Sequence, residues 1–528
     1  VALNAGGLVL GNAGALGAGA LAIGGTTTLD NTVAVNLANA VNFGNGTQLT
    51  LGGSNDVTLG GVVAGNGSLV KNGAGLLTLN NTNTFGGGLT LNGGGLVVGA
   101  NGALGGGALA VNASTTLDAG AGVSLGNAIN LASGVALTLP GSNTLTLSGV
   151  IDGNGSLVKN GATTLTLSAA NTYTGGTTIN DGTLALGLGG SLAAAGDVTL
   201  GNAGAAFDIS GAGGSQTIGA LNGVGGTTLA LGGNSLTFGT ASNAAFGGVI
   251  SGSGGLVKVG AGVQTLSGAN TFGGGVTLNA GGLVLGNDAA LGTGTLTVGG
   301  ASTLDTTGLA TLANNIALNA GLTVLGTNAL TLNGVLSGAG SLTKEGGATL
   351  TLNGANTYTG GTNINAGTLA LGANASLSAT GTVNLATGAT LDLSAGNGTQ
   401  QFGTLIGNGT INLGANAIEV GGATNGTFSG SITGTGGLTK VGAGTETLTG
   451  TNTYTGGTLI NAGTLAIGPG GSLAATGAVT LAAPGTGFDI STSGADQTIG
   501  SLAGVAGSSV SLGAQSLILG GVANSVFD

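Results

Sequence analysis

Apolar and polar residues alternate along the chain in short runs such as LTLN (77–80), TLTLS (164–168) and TLALG (183–187). Gly-Gly, Asn-Gly and Asn-Ala-Gly interrupt these runs at short intervals. A period of two in Val, Ile, Thr and Leu predicts β-strands, and glycine punctuation predicts the turns between them. Because no window keeps the spacing of an amphipathic helix, the sequence predicts an all-β protein.

A 33-residue segment recurs five times without insertion, and these repeat cores are 67–99, 155–187, 254–286, 340–372 and 436–468. Each copy has a lysine near its start, an asparagine twelve residues later and an aromatic residue two positions after that. These repeat-defining residues are the lysines Lys71, Lys159, Lys258, Lys344 and Lys440, the asparagines Asn83, Asn171, Asn270, Asn356 and Asn452, and the rings of Phe85, Tyr173, Phe272, Tyr358 and Tyr454. The five lysines are the only basic residues of the chain.

The stretches between the copies also repeat, which gives the chain a super-repeat of about 90 residues. One spacer type resembles 281–305 and the other resembles 196–221. Six spacer aspartates follow a Leu or a Phe, namely Asp30, Asp118, Asp305 and Asp392 after Leu, and Asp208 and Asp489 after Phe. Residues 3–11 match 278–286, so we interpret 1–11 as the tail of a truncated repeat and expect the sequence to be a piece of a longer protein.

Long-range self-similarity of short strands favours a solenoid, in which each coil stacks only on its neighbours. We predict that 1–528 form one continuous, single-stranded parallel β-helix whose inward Leu and Val side chains line a narrow core. With roughly 20 residues per coil and about 4.8 Å between coils, about 25 coils would make an elongated rod on the order of 120 Å.

Composition excludes several classes of function. The chain has no Cys, His or Arg, and its formal net charge is −11. A disulfide framework and catalysis by a Ser–His–Asp or Cys–His arrangement are therefore ruled out. Nucleic-acid binding needs a basic surface, which five lysines cannot supply. No apolar run approaches the roughly 18 residues that a transmembrane helix needs.

The 33-residue unit resembles the autotransporter-associated β-strand repeat, also called the passenger-associated transport repeat. Its five copies carry the pattern GxLxKxGxGxxTLxGxNTYxGGTxxNxGTLxxG, with substitutions at single positions. The resemblance implies a right-handed β-helix that a Gram-negative bacterium secretes through a C-terminal outer-membrane barrel. It also implies that the repeats aid secretion and folding. A complete member would also have a signal peptide, and we expect the barrel to lie outside this piece of the protein.

Three sets of residues could carry chemistry, and each has a plainer interpretation. The lysines could form a cation ladder for anionic ligands, but a solvated or corner position is favoured because they are widely spaced. The aromatic residues could stack on sugars, but packing in the core or at a corner is favoured. Because Phe and Tyr interchange, ring volume is expected to matter more than the hydroxyl. The aspartates could bind calcium, but a turn or strand-end role is favoured.

We therefore expect no enzyme activity, no cofactor and no metal site. The favoured function is a structural passenger segment of a secreted, cell-surface adhesin that acts in adhesion or autoaggregation. Its partners would be another copy or a cell-surface ligand. The main alternative is a passive stalk or extracellular fibre whose activity lies in flanking sequence. An ice-binding or polysaccharide-acting β-helix is a weaker alternative, since Thr-x-Thr motifs are scattered along the chain.

Overall fold

The computed structural model describes residues 1–521 and 525–527, and these residues form β-strands without any helix. The strands stack in parallel as about 26 turns of a β-solenoid, which confirms the predicted fold class. Their contacts divide the chain into two compact units, Val1–Gly274 and Gly275–Asp528. Each unit is a stack of coils, where a coil is one complete turn of the solenoid. One continuous β-helix over 1–528 stays a prediction.

Each 33-residue copy forms four strands. The first, which ends at the lysine, is Ser68–Lys71, Ser156–Lys159, Leu256–Lys258, Leu342–Lys344 or Leu438–Lys440. The second is Leu76–Leu79, Thr164–Leu167, Val263–Leu266, Leu350–Leu352 or Thr445–Leu448. The third is Leu89–Leu91, Thr177–Ile179, Val276–Leu278, Thr362–Ile364 or Thr458–Ile460. The fourth is Gly95–Val98, Thr183–Leu186, Gly282–Leu285, Thr368–Leu371 or Thr464–Ile467.

The spacers form the remaining strands. Those that carry the six aspartates are Thr26–Asn31, Thr115–Ala119, Ala206–Asp208, Ser302–Thr306, Thr390–Asp392 and Gly487–Asp489. The others in the first unit are Ala2–Leu3, Gly6–Leu10, Leu21–Ile23, Val35–Leu37, Val41–Phe43, Gln48–Leu51, Val57–Leu59, Val63–Gly65, Leu109–Val111, Val123–Leu125, Ile129–Leu131, Ala136–Leu139, Leu145–Leu147, Ile151–Gly153, Val198–Leu200, Gln216–Thr217, Leu221–Gly223, Thr228–Ala230, Leu236–Phe238, Ala244–Phe246 and Val249–Ser251. The others in the second unit are Leu296–Val298, Ala310–Leu312, Ile316–Leu318, Leu322–Val324, Leu330–Leu332, Leu336–Ser337, Thr382–Leu385, Gln400–Phe402, Thr404–Gly407, Thr410–Asn412, Ile418–Val420, Gly426–Phe428, Ser431–Thr433, Ala478–Leu481, Gln497–Ile499, Ser501–Gly504, Ser509–Ser511, Leu517–Leu519 and Val526–Phe527.

The core consists of apolar ladders in which inward side chains of successive coils stack on one another. Leu69 pairs with Leu89, Leu89 with Leu109, and Leu109 with Ile129, and all four side chains are buried. Paired residues lie from 18 residues apart, as for Gln400 and Ile418, to 23 residues apart. The strict period of two keeps Leu, Val and Ile inside although coil length varies, because the extra residues lie in the corners.

The shortest connection between strands in each copy is the Asn-x-Gly turn between its third and fourth strands. The glycine of this turn, such as Gly463 with a φ of 64°, adopts the left-handed conformation. A Cβ atom on Gly463 would lie 2.5 Å from the backbone oxygen of Gly442 in the preceding coil. Glycine is therefore needed here both for its φ and for the close approach of two coils.

Candidate functional site

The five repeat lysines point into the solenoid, and each is at most 1% exposed. The ammonium of Lys440 donates to the backbone oxygens of Val441 at 2.6 Å and Gly442 at 2.8 Å, in the turn that follows its own strand. Its third acceptor is the oxygen of Ala462 at 3.2 Å, within the Asn-Ala-Gly turn of the next coil. The lysine therefore ties two successive corners together through their carbonyl groups.

Equivalent bonds occur in the other copies. Lys344 donates to Glu345, Gly346 and Ala366, Lys159 to Gly161 and Asp181, Lys71 to Asn72 and Gly73, and Lys258 to Val259 and Gly260. Burial lowers the pKa of all five ammonium groups, and the nearby acids Asp56, Asp181, Glu345 and Glu446 partly oppose this shift for four of them. Of the two positions expected for the lysines, solvated or corner, the structure shows the corner, and the side chains there are buried.

The repeat asparagines bridge three coils. Each side-chain oxygen accepts a backbone N–H from the preceding coil at 2.8–3.1 Å, donated by Val63, Ile151, Ile250, Leu336 or Ile432. In four copies the side-chain nitrogen donates to a carbonyl of the following coil, at Ala103, Ser191, Ser376 or Ser472. A buried amide that satisfies backbone groups on both sides is a structural element of the stack.

The five aromatic rings are buried, at most 2% exposed. Each tyrosine hydroxyl lies 2.6–2.7 Å from the hydroxyl of the threonine four residues later, in the pairs Tyr173–Thr177, Tyr358–Thr362 and Tyr454–Thr458. Where the ring is Phe85 or Phe272, the residue four positions later is Leu89 or Val276. Ring and partner therefore change together, and each tyrosine hydroxyl has a buried partner that the phenylalanine copies lack.

The type of ring also changes with the spacer that follows it. The copies with Phe85 and Phe272 precede the spacers that contain Asp118 and Asp305, whereas the three tyrosine copies precede those that contain Asp208, Asp392 and Asp489. In the tyrosine copies, an isolated β-bridge joins Ala170 to Ser191, Ala355 to Ser376 and Thr451 to Ser472. The type of ring, the residue four positions after it and the type of the following spacer therefore vary together among the five copies.

The six aspartates lie at or next to the ends of their strands, in two groups. Asp30, Asp118 and Asp305 accept from the backbone N–H and the hydroxyl of a residue in the next coil, which is Ser54, Ser142 or Thr327. Asp208, Asp392 and Asp489 accept the N–H of the serine two positions later. The residue before the aspartate does not separate these groups, because Asp392 follows Leu but behaves like those that follow Phe. Each carboxylate is thus bonded at a strand end.

One buried acidic residue, Glu446, is not predicted by the sequence analysis. Glu446 occupies an inward core position at which three other copies have Leu77, Leu165 or Leu350, and it is 2% exposed. Its strand neighbour in the preceding coil is Gly426, whose missing side chain leaves room for the carboxyl group. Burial raises the pKa of Glu446 to about 8, although Lys440 and a backbone hydrogen bond with Leu405 oppose the shift. One carboxyl oxygen, Oε1, is buried without a hydrogen-bond partner.

The third copy has Gln264 at the same position, opposite Ala244. Its side-chain nitrogen donates to the oxygen of Leu221 at 3.1 Å. Both polar residues could have been found by applying the two-residue alternation to VQTL and TETL, because they have the parity of the buried leucines.

The lysine, the asparagine and the aromatic ring lie at different points of each copy. The structure does not bring these three side chains together in one site.

Among the described residues, no group of three or more Asp and Glu side chains is placed to hold a metal ion. The described part of the chain also contains no helix that is long and apolar enough to cross a membrane.

Comparison with known proteins agrees with this repeat architecture. The family model called passenger-associated-transport-repeat matches residues 69–98, 157–186, 256–285, 342–371 and 438–467, inside the five copies. The chain is similar to the adhesin BmaC autotransporter of Brucella suis biovar 1 (strain 1330), with 37% identity over 160 residues. This similarity covers 30% of the chain and 5% of that protein. No solved structure matches. The chain therefore carries five passenger-associated transport repeats and is similar, over 30% of its length, to part of an autotransporter adhesin.

Proposed function

We propose that this segment acts at the surface of a Gram-negative bacterium as part of an adhesin, by binding a cell-surface ligand or a second copy of itself. The similarity to an autotransporter adhesin carries this proposal. In the same proposal, a C-terminal translocator barrel in flanking sequence exports the segment and anchors it to the outer membrane. The repeats aid this export by forming corners that close as each coil is added.

The exposed surface supports a role in binding rather than in catalysis. All five lysine side chains are buried and donate to backbone carbonyls, so none of them is placed to act as a base on a bound substrate. Outward positions carry hydroxyl groups, as in Thr368, Thr390 and Thr410, which pair with one another on successive strands. We therefore propose that the segment is not an enzyme and needs no cofactor.

A settling assay tests the proposal. Residues 1–528 are fused to an outer-membrane barrel and displayed on bacteria that do not clump, with a barrel-only strain as control. Adhesion to host cells is measured in parallel. Faster settling or stronger adhesion of displaying cells, with surface labelling to confirm display, supports the adhesin. If displaying cells neither settle nor adhere, the segment is a passive stalk whose activity lies in flanking sequence.

A further inference from the structure

The second unit contains a polar cleft of about 440 Å³ beside the fourth copy, on the side of the spacer that follows it. One wall consists of Thr357 and Thr359, which flank the buried ring of Tyr358. The opposite walls are formed by residues 376–380 and by residues 399–401. The volume falls in the range of pockets that hold small ligands, roughly 300–1,000 Å³.

The cleft brings together several polar side chains that have no hydrogen-bond partner in the described part of the chain. Among the residues that the structure describes, the side chains of Thr357, Thr359, Thr380, Thr399 and Gln401 are exposed and make no hydrogen bond within the chain. Next to them, Gln400 is 5% exposed and donates to the oxygen of Ala375 at 2.9 Å. The Oε1 atom of Gln400 is buried and has no partner.

The corresponding spacers in the second and fifth copies have fewer of these groups. Ser378 of the cleft is replaced by Ala193 and Ala474, and Gln401 by Thr217 and Thr498. Thr380 is replaced by Ala195 in the second copy and by Thr476 in the fifth, and Thr399 by Ser215 and Asp496. The fold of the spacer does not require the polar residues of the cleft, because the other copies form the same β-bridge without several of them.

We propose that this cleft binds a neutral oligosaccharide, and this inference rests on the proposed adhesin function. Threonine hydroxyls and the glutamine amide can each donate and accept hydrogen bonds, as sugar hydroxyls do. No lysine lines the cleft to bind an anionic ligand, and no carboxylate lines it to bind a cationic one. A ligand that is uncharged and rich in hydroxyl groups matches this lining.

The test is a printed array of neutral, sialylated and sulfated oligosaccharides, probed with fluorescently labelled chain 1–528. The variant Thr359→Ala with Gln401→Ala removes two groups of the cleft. The matched control, Thr455→Ala with Thr498→Ala, changes the equivalent positions of the fifth copy. Both pairs lie outside the core, and circular dichroism verifies that each variant keeps its fold.

The expected result is binding to a subset of neutral oligosaccharides, weakened about tenfold or more by the cleft variant and less than about twofold by the control. No binding to any neutral oligosaccharide, binding confined to charged ones, or equal effects of the two variants would overturn the inference. The settling and adhesion assays on cells that display the same variants separate the two proposals. If cells settle or adhere regardless of the cleft variant and the array is silent, the adhesin survives and the cleft proposal fails.

Discussion

The hydroxyl of Tyr358 lies 2.6 Å from the hydroxyl of Thr362 in the buried interior of the fourth copy. The same pair recurs in the second and fifth copies, and it is absent where the ring is Phe. Since both groups are buried, the bond is expected to matter for the local stability of the coil: an unpaired buried hydroxyl costs about 1–3 kcal/mol.

The change Tyr358→Phe should lower the opening free energy of the coil around 354–366 by about 1–2 kcal/mol, because Thr362 then loses its partner. The double change Tyr358→Phe with Thr362→Val reproduces the pair found at Phe272 and Val276, and it should recover much of that loss. Hydrogen exchange of the amides in Thr362–Ile364 measures both effects. Equal losses in the single and double variants would show that the hydroxyls do not stabilise each other.

The hydrogen bonds by which Lys440 joins two successive corners give a second prediction. Lys440→Met keeps most of the buried side-chain volume but leaves the carbonyls of Val441, Gly442 and Ala462 without their donor. We expect the two corners to separate more readily, with a local loss of about 2–5 kcal/mol. The matched control is Thr439→Met, the outward neighbour on the same strand. Comparable exchange rates in the two variants would mean that the ammonium contributes nothing to the corner.

Glu446 predicts a pH dependence of stability. Its pKa is raised to about 8 in the folded chain from an ordinary value of 4.5, so the folded state holds the proton more tightly than the unfolded state. The stabilisation of the folded state that results from this raised pKa is therefore fully present below pH 4.5. It decreases as the pH rises and is lost as the pH passes through about 8. The steepest slope for one proton is about 1.4 kcal/mol per pH unit. Lys440 is the cation that faces this carboxyl group.

Urea unfolding of the region around 426–467, followed by hydrogen exchange between pH 5 and 9, checks this prediction. Glu446→Gln should flatten the slope, and Glu446→Leu should restore the residue type of three other copies. The matched control is Gln264→Leu, which alters the equivalent position of the third copy without removing a titrating group. A wild-type slope that persists in Glu446→Gln would assign the pH dependence to another residue.

Much of this arrangement is present in the alternation of the sequence. Lys71 has the same parity as Leu69 in SLVK, and Glu446 has the parity of Leu448 in TETL, so each inward direction follows from a period of two. The threonine four residues after each tyrosine was likewise visible. The corner position of the lysines agrees with one of the two expectations, and their burial follows from parity, because backbone carbonyls at a corner can take the place of water around an ammonium group.

The partners in other coils could not be predicted. Asp30 bonds to Ser54 across 24 residues, whereas Asp305 bonds to Thr327 across 22. Coil length varies with the number of residues in each corner, so spacing along the chain does not specify which residues face each other. The polar cleft beside the fourth copy was hidden for the same reason, because residues 357–359 and 399–401 meet only after two coils have formed.

The central claim is that the charged residue of each repeat belongs to the interior of the fold and is not displayed to a ligand. Acetylation of the folded chain with a water-soluble amine reagent, followed by mass spectrometry, tests it most directly. We predict that the α-amino group of Val1 reacts while all five lysines react at least about a hundredfold more slowly than in urea, because reaction requires local opening. A lysine that reacts in the folded chain as fast as in urea would contradict the claim.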